Sequence, residues 1–207
     1  MSIETPDHER EMTAYHEAGH ALADACWTSN RVEFITIAPN ETALGHVRAR
    51  RQFLPDSVAR RPLDERRAYA RGEVRASLAG YAGEQVCGPS GGLPADLREL
   101  RSGVLVLADL DPGHDLSQAA AWIFMAYREG GENVRRLFND YVFALGFLEG
   151  HRPLLDHVAG ALLERETLSA GAFHEIVNLH SKRTPRGWNP TPWAIRPRVR
   201  RGTQEPA

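Results

Sequence analysis

Residues 6 to 27 leave the chain little choice of conformation. Thr5 can cap, Pro6 suits a first helical turn, and Asp7 and Glu9 stand where the positive end of a helix dipole favours acids. Met12, Tyr15, Gly19, Leu22 and Cys26 then recur at helical spacing, so the sequence predicts a helix from Pro6 to Trp27. Inside it run His16, Glu17, Ala18, Gly19 and His20, an H-E-x-x-H pattern. Two imidazoles four residues apart on a helix point the same way and can bind one metal ion. Glu17 projects about 100° round the helix from His16, within reach of a water at that ion without being a ligand, as a general base requires. Small Ala18, Gly19 and Ala21 keep that face uncrowded. The competing reading is two surface histidines on an amphipathic helix.

A tetrahedral hydrolytic zinc site takes a third protein ligand and leaves the fourth position to water. No third histidine follows at short helical spacing, so the candidates lie far along the chain: Glu84, Asp109, Asp111, His114 and Asp115. Spacing alone does not choose among them, and Asp115 with Gln118 three residues on also reads as a helix capping box.

The remaining pattern predicts a mainly α (α+β) domain. Val32 to Ala38 alternates and is β-branched, and residues 43 to 49 could return antiparallel across an Asn40–Glu41 turn, giving a small β-hairpin after the histidine helix. Phe34, Thr36 and Ala38 on the first strand are candidate substrate-binding residues, since an extended peptide could pair with an exposed strand edge; an ordinary hairpin strand is the alternative. Residues 48 to 75 hold nine arginines against four acids, read as a solvated loop entering a helix. Helical patterns follow at 63–86, 116–129, 132–148, 153–166 and 170–179, with an ambiguous apolar stretch at Val104 to Leu107. Ala76, Gly80 and Gly83 form a small-residue stripe that permits close approach of another backbone.

With 207 residues the chain fits one domain, 1–181, followed by a segment, 182–207, that holds seven basic groups against Glu205 and five prolines. Trp188 and Trp193 suggest that this tail docks, as a strap over the acidic body of its own chain in preference to a nucleic-acid arm. Two cysteines, Cys26 and Cys87, are too few for a disulfide framework and read as reduced core thiols. The acidic N-terminus lacks the pattern of a secretory signal, and no apolar run could span a bilayer, so a cytoplasmic protein is expected.

The stretch Thr13 to Leu22 closely resembles the start of the peptidase domain in the FtsH family of membrane-anchored AAA zinc proteases. Ile35 to Pro39, Ala43 to Gly45, Leu78 to Glu84, His114 to Ala119 and Ala161 to Leu168 resemble successive blocks of that family in the same order. The resemblance implies a helical zinc peptidase domain with Zn2+ held by His16, His20 and Asp115, Glu17 as the base, and Glu84 as a helix brace and second choice of ligand. His114 is then a neighbour of the site. It further implies a peptide or unfolded protein as substrate, and it is compatible with a separate AAA ATPase partner and with self-association. The chain departs from the family in having no G-x-x-x-x-G-K-[ST] phosphate loop, in Asp109 to Gly113 before the third ligand, and in an Arg-rich insertion before Leu78. The expected activity is therefore peptide-bond hydrolysis without an ATPase on the same chain. The alternative is a non-catalytic adaptor that keeps the fold and binds a protein or nucleic acid; intact Glu17 argues against it.

Overall fold

A computed structural model describes residues 6–28, 30–39, 44–51, 55–88, 98–99, 111, 113–127 and 132–183. The first helix, α1, runs over Pro6–Trp27 as its pattern predicts. Two antiparallel strands follow, β1 (Arg31–Thr36) and β2 (His46–Arg50), then a short helix α2 (Pro55–Ala59) and the long helix α3 (Leu63–Cys87). The second half is α4 (Asp115–Tyr127), α5 (Asn133–Gly150), α6 (Arg152–Arg165), β3 (Thr167–Ser169) and α7 (Ala170–Arg183). The Asn40–Glu41 turn, Val104 to Leu107, Asp109 and the tail beyond Arg183 lie outside the described residues. Helix α7 itself continues two residues past the expected domain boundary. No helix among the described residues is long and apolar enough to cross a membrane.

Glycines set the central packing. A Cβ on Gly19 of α1 would fall 2.2 Å from the Ala79 carbonyl oxygen, and one on Gly83 of α3 would fall 2.2 Å from that of Tyr15. Gly72 meets the Trp27 carbonyl in the same way, at 2.3 Å. Contacts pairing 15 with 83, 19 with 79 and 27 with 72 mean that α1 and α3 run antiparallel with backbones closer than any side chain allows. The stripe read from Ala76, Gly80 and Gly83 is thus the contact line with the histidine helix. Around this pair the wholly buried Leu22, Leu78, Leu116, Leu137, Leu148 and Leu155 tie α4, α5 and α6 into one core.

The hairpin acquires a third strand that the sequence pattern did not mark. The sheet order is β2-β1-β3, all antiparallel. Ile35 pairs with Val47 on one side and with Leu168 on the other, and both Ile35 and Leu168 are fully buried. Helix α6 ends where Glu166 turns left-handed at φ 59°, its N–H donating to the Leu162 carbonyl at 2.7 Å, which swings the chain directly into β3. Arg10 holds that corner through the Glu166 carboxylate at 3.1 Å.

This topology corrects the candidate peptide platform. β1 is the central strand: Phe34 and Thr36 pair with β2 and β3 at once, and Ile37 N–H donates to the Glu166 carbonyl. The Thr36 hydroxyl is taken up by Thr167 and by the Ala38 N–H. A peptide therefore finds no open edge at Phe34 and Thr36, while Ala38 lies beyond the paired register; among the described strands the outer edges are those of β2 and β3.

Candidate metal centre and cleft

Helical spacing brings the His16 and His20 rings side by side, with their Nε2 atoms 2.9 Å apart. Asp115, the first residue of α4, places Oδ2 3.1 Å from each of them. The carboxylate expected from the middle of the chain is thus at the two imidazoles. Gln118 turns its amide to the Gly113 carbonyl, and the Asp115 carboxylate faces the two rings, so the capping-box alternative does not describe this corner.

The far side of each ring is anchored by α3. His16 Nδ1 lies 2.6 Å from Glu84 Oε1, and His20 Nδ1 lies 2.7 Å from the Ala76 carbonyl oxygen. A carbonyl only accepts, so His20 carries its proton on Nδ1 and presents a lone pair at Nε2. The same assignment for His16 follows from the Glu84 carboxylate. Glu84 is therefore the partner of a candidate ligand, on the side of the ring away from the convergence point.

Three acceptor atoms meeting with no donor hydrogen between them require a positive charge. Burial alone would lower the histidines, yet hydrogen bonds to Asp115 and Glu84 raise His16 to about 10, and the Asp115 charge raises His20. Burial would likewise raise Asp115, but the imidazoles hold it well below the usual carboxylate range. Protons and a divalent cation are alternative ways to meet the same demand. The spacing suits the cation: tetrahedral zinc with ligand bonds near 2.05 Å separates its ligand atoms by roughly 3.3 Å, within a few tenths of the distances seen. Room is kept by Gly80, where a Cβ would stand 2.5 Å from both Nε2 atoms. His16, His20 and Asp115 thus fit a small divalent ion in donor type, distance and space.

Glu17 is next to this centre and only 5% exposed. Burial pushes its carboxyl up, an effect the two neighbouring imidazoles partly offset. Its side chain packs against Gly45, where any Cβ would come within 2.9 Å of Glu17 Cγ. The centre opens on a cleft of about 520 Å³ lined by Thr13, His16, Glu17, Leu44, Gly45, Tyr81, His114 and Asp115, among others. Phe34, Thr36 and Ala38 do not line it; Leu44 and Gly45, just before β2, do. A second, smaller cavity of about 150 Å³ lies beyond His20, lined by Asp24, Asn30, Val47, Ala49 and Glu73. There Asn30 Nδ2 bridges Asp24 Oδ1 at 3.0 Å and Glu73 Oε1 at 3.2 Å. The two cysteines are free and half-buried, with burial pushing their thiols up to about 12 for Cys26 and about 11 for Cys87.

Two of these neighbours were not singled out from sequence. Tyr81 was passed over although it lies three residues before Glu84, inside the same family block and therefore on the face of α3 that meets α1. Asp24 continues the file His16, His20, Asp24 at four-residue intervals, a helical signal that was available.

The fold and this constellation define a mainly helical α+β domain organised round an H-E-x-x-H helix. The sequence model of peptidase family M41 matches residues 3–99, a span that ends before Asp115. Relatives include the ATP-dependent zinc metalloprotease FtsH of Thermus thermophilus, 31% identical over an alignment of 192 positions that covers 82% of this chain and 29% of that protein. FtsH of Chloroflexus aggregans is 27% identical over 83% of this chain and 29% of its own length, and FtsH 3 of Conexibacter woesei 28% identical over 90% and 27%. The chain carries an FtsH-family peptidase domain. It spans less than a third of the length of these relatives.

Proposed function

We propose that this chain is a zinc-dependent endopeptidase that hydrolyses peptides or unfolded proteins without an ATPase on the same chain. The observation that carries the reading is the convergence of His16 Nε2, His20 Nε2 and Asp115 Oδ2 within 3.1 Å of one another, each ring tethered from behind, beside the buried Glu17 and an open cleft. His16, His20 and Asp115 would hold the ion. Zinc in such a set acidifies water towards a pKa of about 7 and polarises a peptide carbonyl.

Every other part belongs to the protein. Glu17 accepts the water proton and delivers it to the departing amine nitrogen, a role suited to a buried carboxylate beside the centre whose pKa burial raises. Glu84 and the Ala76 carbonyl fix the imidazole tautomers. The segment entering β2 lines the cleft through Leu44 and Gly45, and β2 itself, with its outer edge free of a strand partner among the described residues, passes the small cavity through Val47 and Ala49. It supports main-chain pairing with an extended substrate, which tolerates many side chains.

Purified protein is expected to contain about one zinc per chain and to cleave casein or a peptide pool. Glu17→Gln should keep the metal and lose cleavage. Equal cleavage by the two proteins would end the peptidase reading, and a zinc-loaded chain that cuts nothing would favour the adaptor.

A further inference from the structure

Away from the metal cleft, the far end of α4 gathers positive charge that few acids answer. Tyr127, the last residue of that helix, holds two guanidiniums over one ring. Arg136 of α5 places Cζ 4.3 Å from the ring centroid, and Arg67 of α3 places it at 5.1 Å. One such contact is enough to clasp helices by cation–π attraction; the second sets a like charge beside the first. Arg136 shares Glu132 with Arg135, at 3.0 and 2.8 Å, and its buried Nε meets no acceptor. Arg67 has no ion pair among the described residues: Glu65 goes to Arg61 at 3.6 Å, and Asp140, one turn further along α5 than Arg136, is taken by Arg71 and Arg75 at 3.5 and 2.8 Å. Three guanidiniums thus share one carboxylate, which leaves two positive charges over.

The backbone does not cancel this excess. α3 starts at Leu63 and α5 at Asn133, so Arg67 and Arg136 stand within the first two turns of their helices, and neither start carries a side-chain cap. Each start contributes about half a positive charge, and the end of α4 takes back about half. All three side chains at the junction are half-buried, so a small solute can reach them. A guanidinium is a planar fork of donors that suits oxyanions. A carboxylate brings one negative charge to such a pair, whereas a phosphate monoester brings nearly two at neutral pH, with three acceptor oxygens.

We propose that Arg67 and Arg136, converging on Tyr127, bind a phosphate group carrying two negative charges, either free or as a monoester. The site is separate from the metal centre: Asp115 and Tyr127 are the first and last residues of α4, about 18 Å apart at 1.5 Å per residue. It stands or falls independently of the peptidase reading.

Isothermal titration calorimetry on the zinc-loaded full chain at a pH of about 8, where a monoester is fully ionised, provides the test. The probes are inorganic phosphate, a phosphoserine tripeptide flanked by glycines with blocked ends, and dimethyl phosphate, which carries a single charge. At least one of the two dianions should bind, and dimethyl phosphate should bind more weakly by roughly 10-fold or more, the scale of one lost charge-assisted contact. Binding of the tripeptide alone makes a phosphorylated side chain the source, binding of phosphate alone makes it the free anion, and either result supports the site. Arg67→Met and Arg136→Met keep an aliphatic stem against the ring and should each weaken the dianion roughly 10- to 100-fold, with circular dichroism as the fold control. Arg165→Ala, at the exposed end of α6, should change nothing. A phosphate held at the zinc or by diffuse charge would bind both methionine variants as it binds the wild type, and that result overturns the proposal. So does the failure of both dianions to bind, or equal affinity for dimethyl phosphate, a comparison that needs no variant to fold.

Discussion

Gly80→Ala is the smallest change that attacks the metal centre without touching a candidate ligand. The added carbon would stand 2.5 Å from both Nε2 atoms, where an ordinary carbon–nitrogen contact is about 3.4 Å. Each ring would have to retreat by roughly 0.9 Å to reach that distance. The rings cannot do so and keep their anchors, because Glu84 and the Ala76 carbonyl grip Nδ1 at 2.6 and 2.7 Å. Lifting α1 away from α3 would undo the close backbone packing at Gly19 and Gly83. Losing one such anchor typically weakens metal binding 10- to 100-fold. With two disturbed, a loss on the order of 10³-fold is expected, about 4 kcal/mol. Folding should survive, because alanine is favoured over glycine inside a helix by about 1 kcal/mol. Competition for zinc against a chelating fluorophore, with circular dichroism as the fold control, measures this. Gly160→Ala, whose Cβ would meet nothing within 4 Å, should leave affinity unchanged. A folded Gly80→Ala protein that binds zinc as the wild type does would refute the account of the centre.

Other outcomes follow from the same geometry. Asp115→Asn should cut zinc content sharply, whereas loss of a helix cap alone would cost only about 1 kcal/mol of stability with full metal content. Glu84→Gln should weaken zinc by about 10- to 100-fold in the same competition assay, leaving stoichiometry at saturating metal intact. Burial raises Glu73 above its ordinary 4.5, so as pH climbs past that value the unfolded chain releases this proton first and the fold loses stability until the folded group ionises too. Glu73→Gln removes that loss, and thermal melts should show a gain near neutral pH that vanishes at pH values below about 4; a gain of equal size at both would contradict it.

The helices were legible because their apolar and small residues keep one period over many turns, as from Met12 to Cys26 and from Ala76 to Gly83. β3 was not, because three residues between two helices carry no period, and its partner Phe34 to Thr36 lies more than 130 positions away. That omission made β1 look like an edge and drew Phe34 and Thr36 into a role that pairing on both sides denies them. At the centre, four-residue spacing placed His16 and His20 together without help. Asp115 could not be chosen by spacing, since its approach depends on how α4 packs on α3; resemblance to a family singled it out. The anchoring of His20 was invisible to any side-chain reading, because its partner is the Ala76 backbone carbonyl.

The placement of β3 bears on how this protein can be divided. A fragment ending anywhere before Thr167, even one holding every residue from His16 to Asp115, would leave β1 with an unsatisfied row of main-chain groups and Ile35 uncovered on that side. Such a truncation would present a sticky ribbon to its neighbours and invite self-assembly through that margin, so the closing segment near the end of the described chain acts as a built-in guard against aggregation.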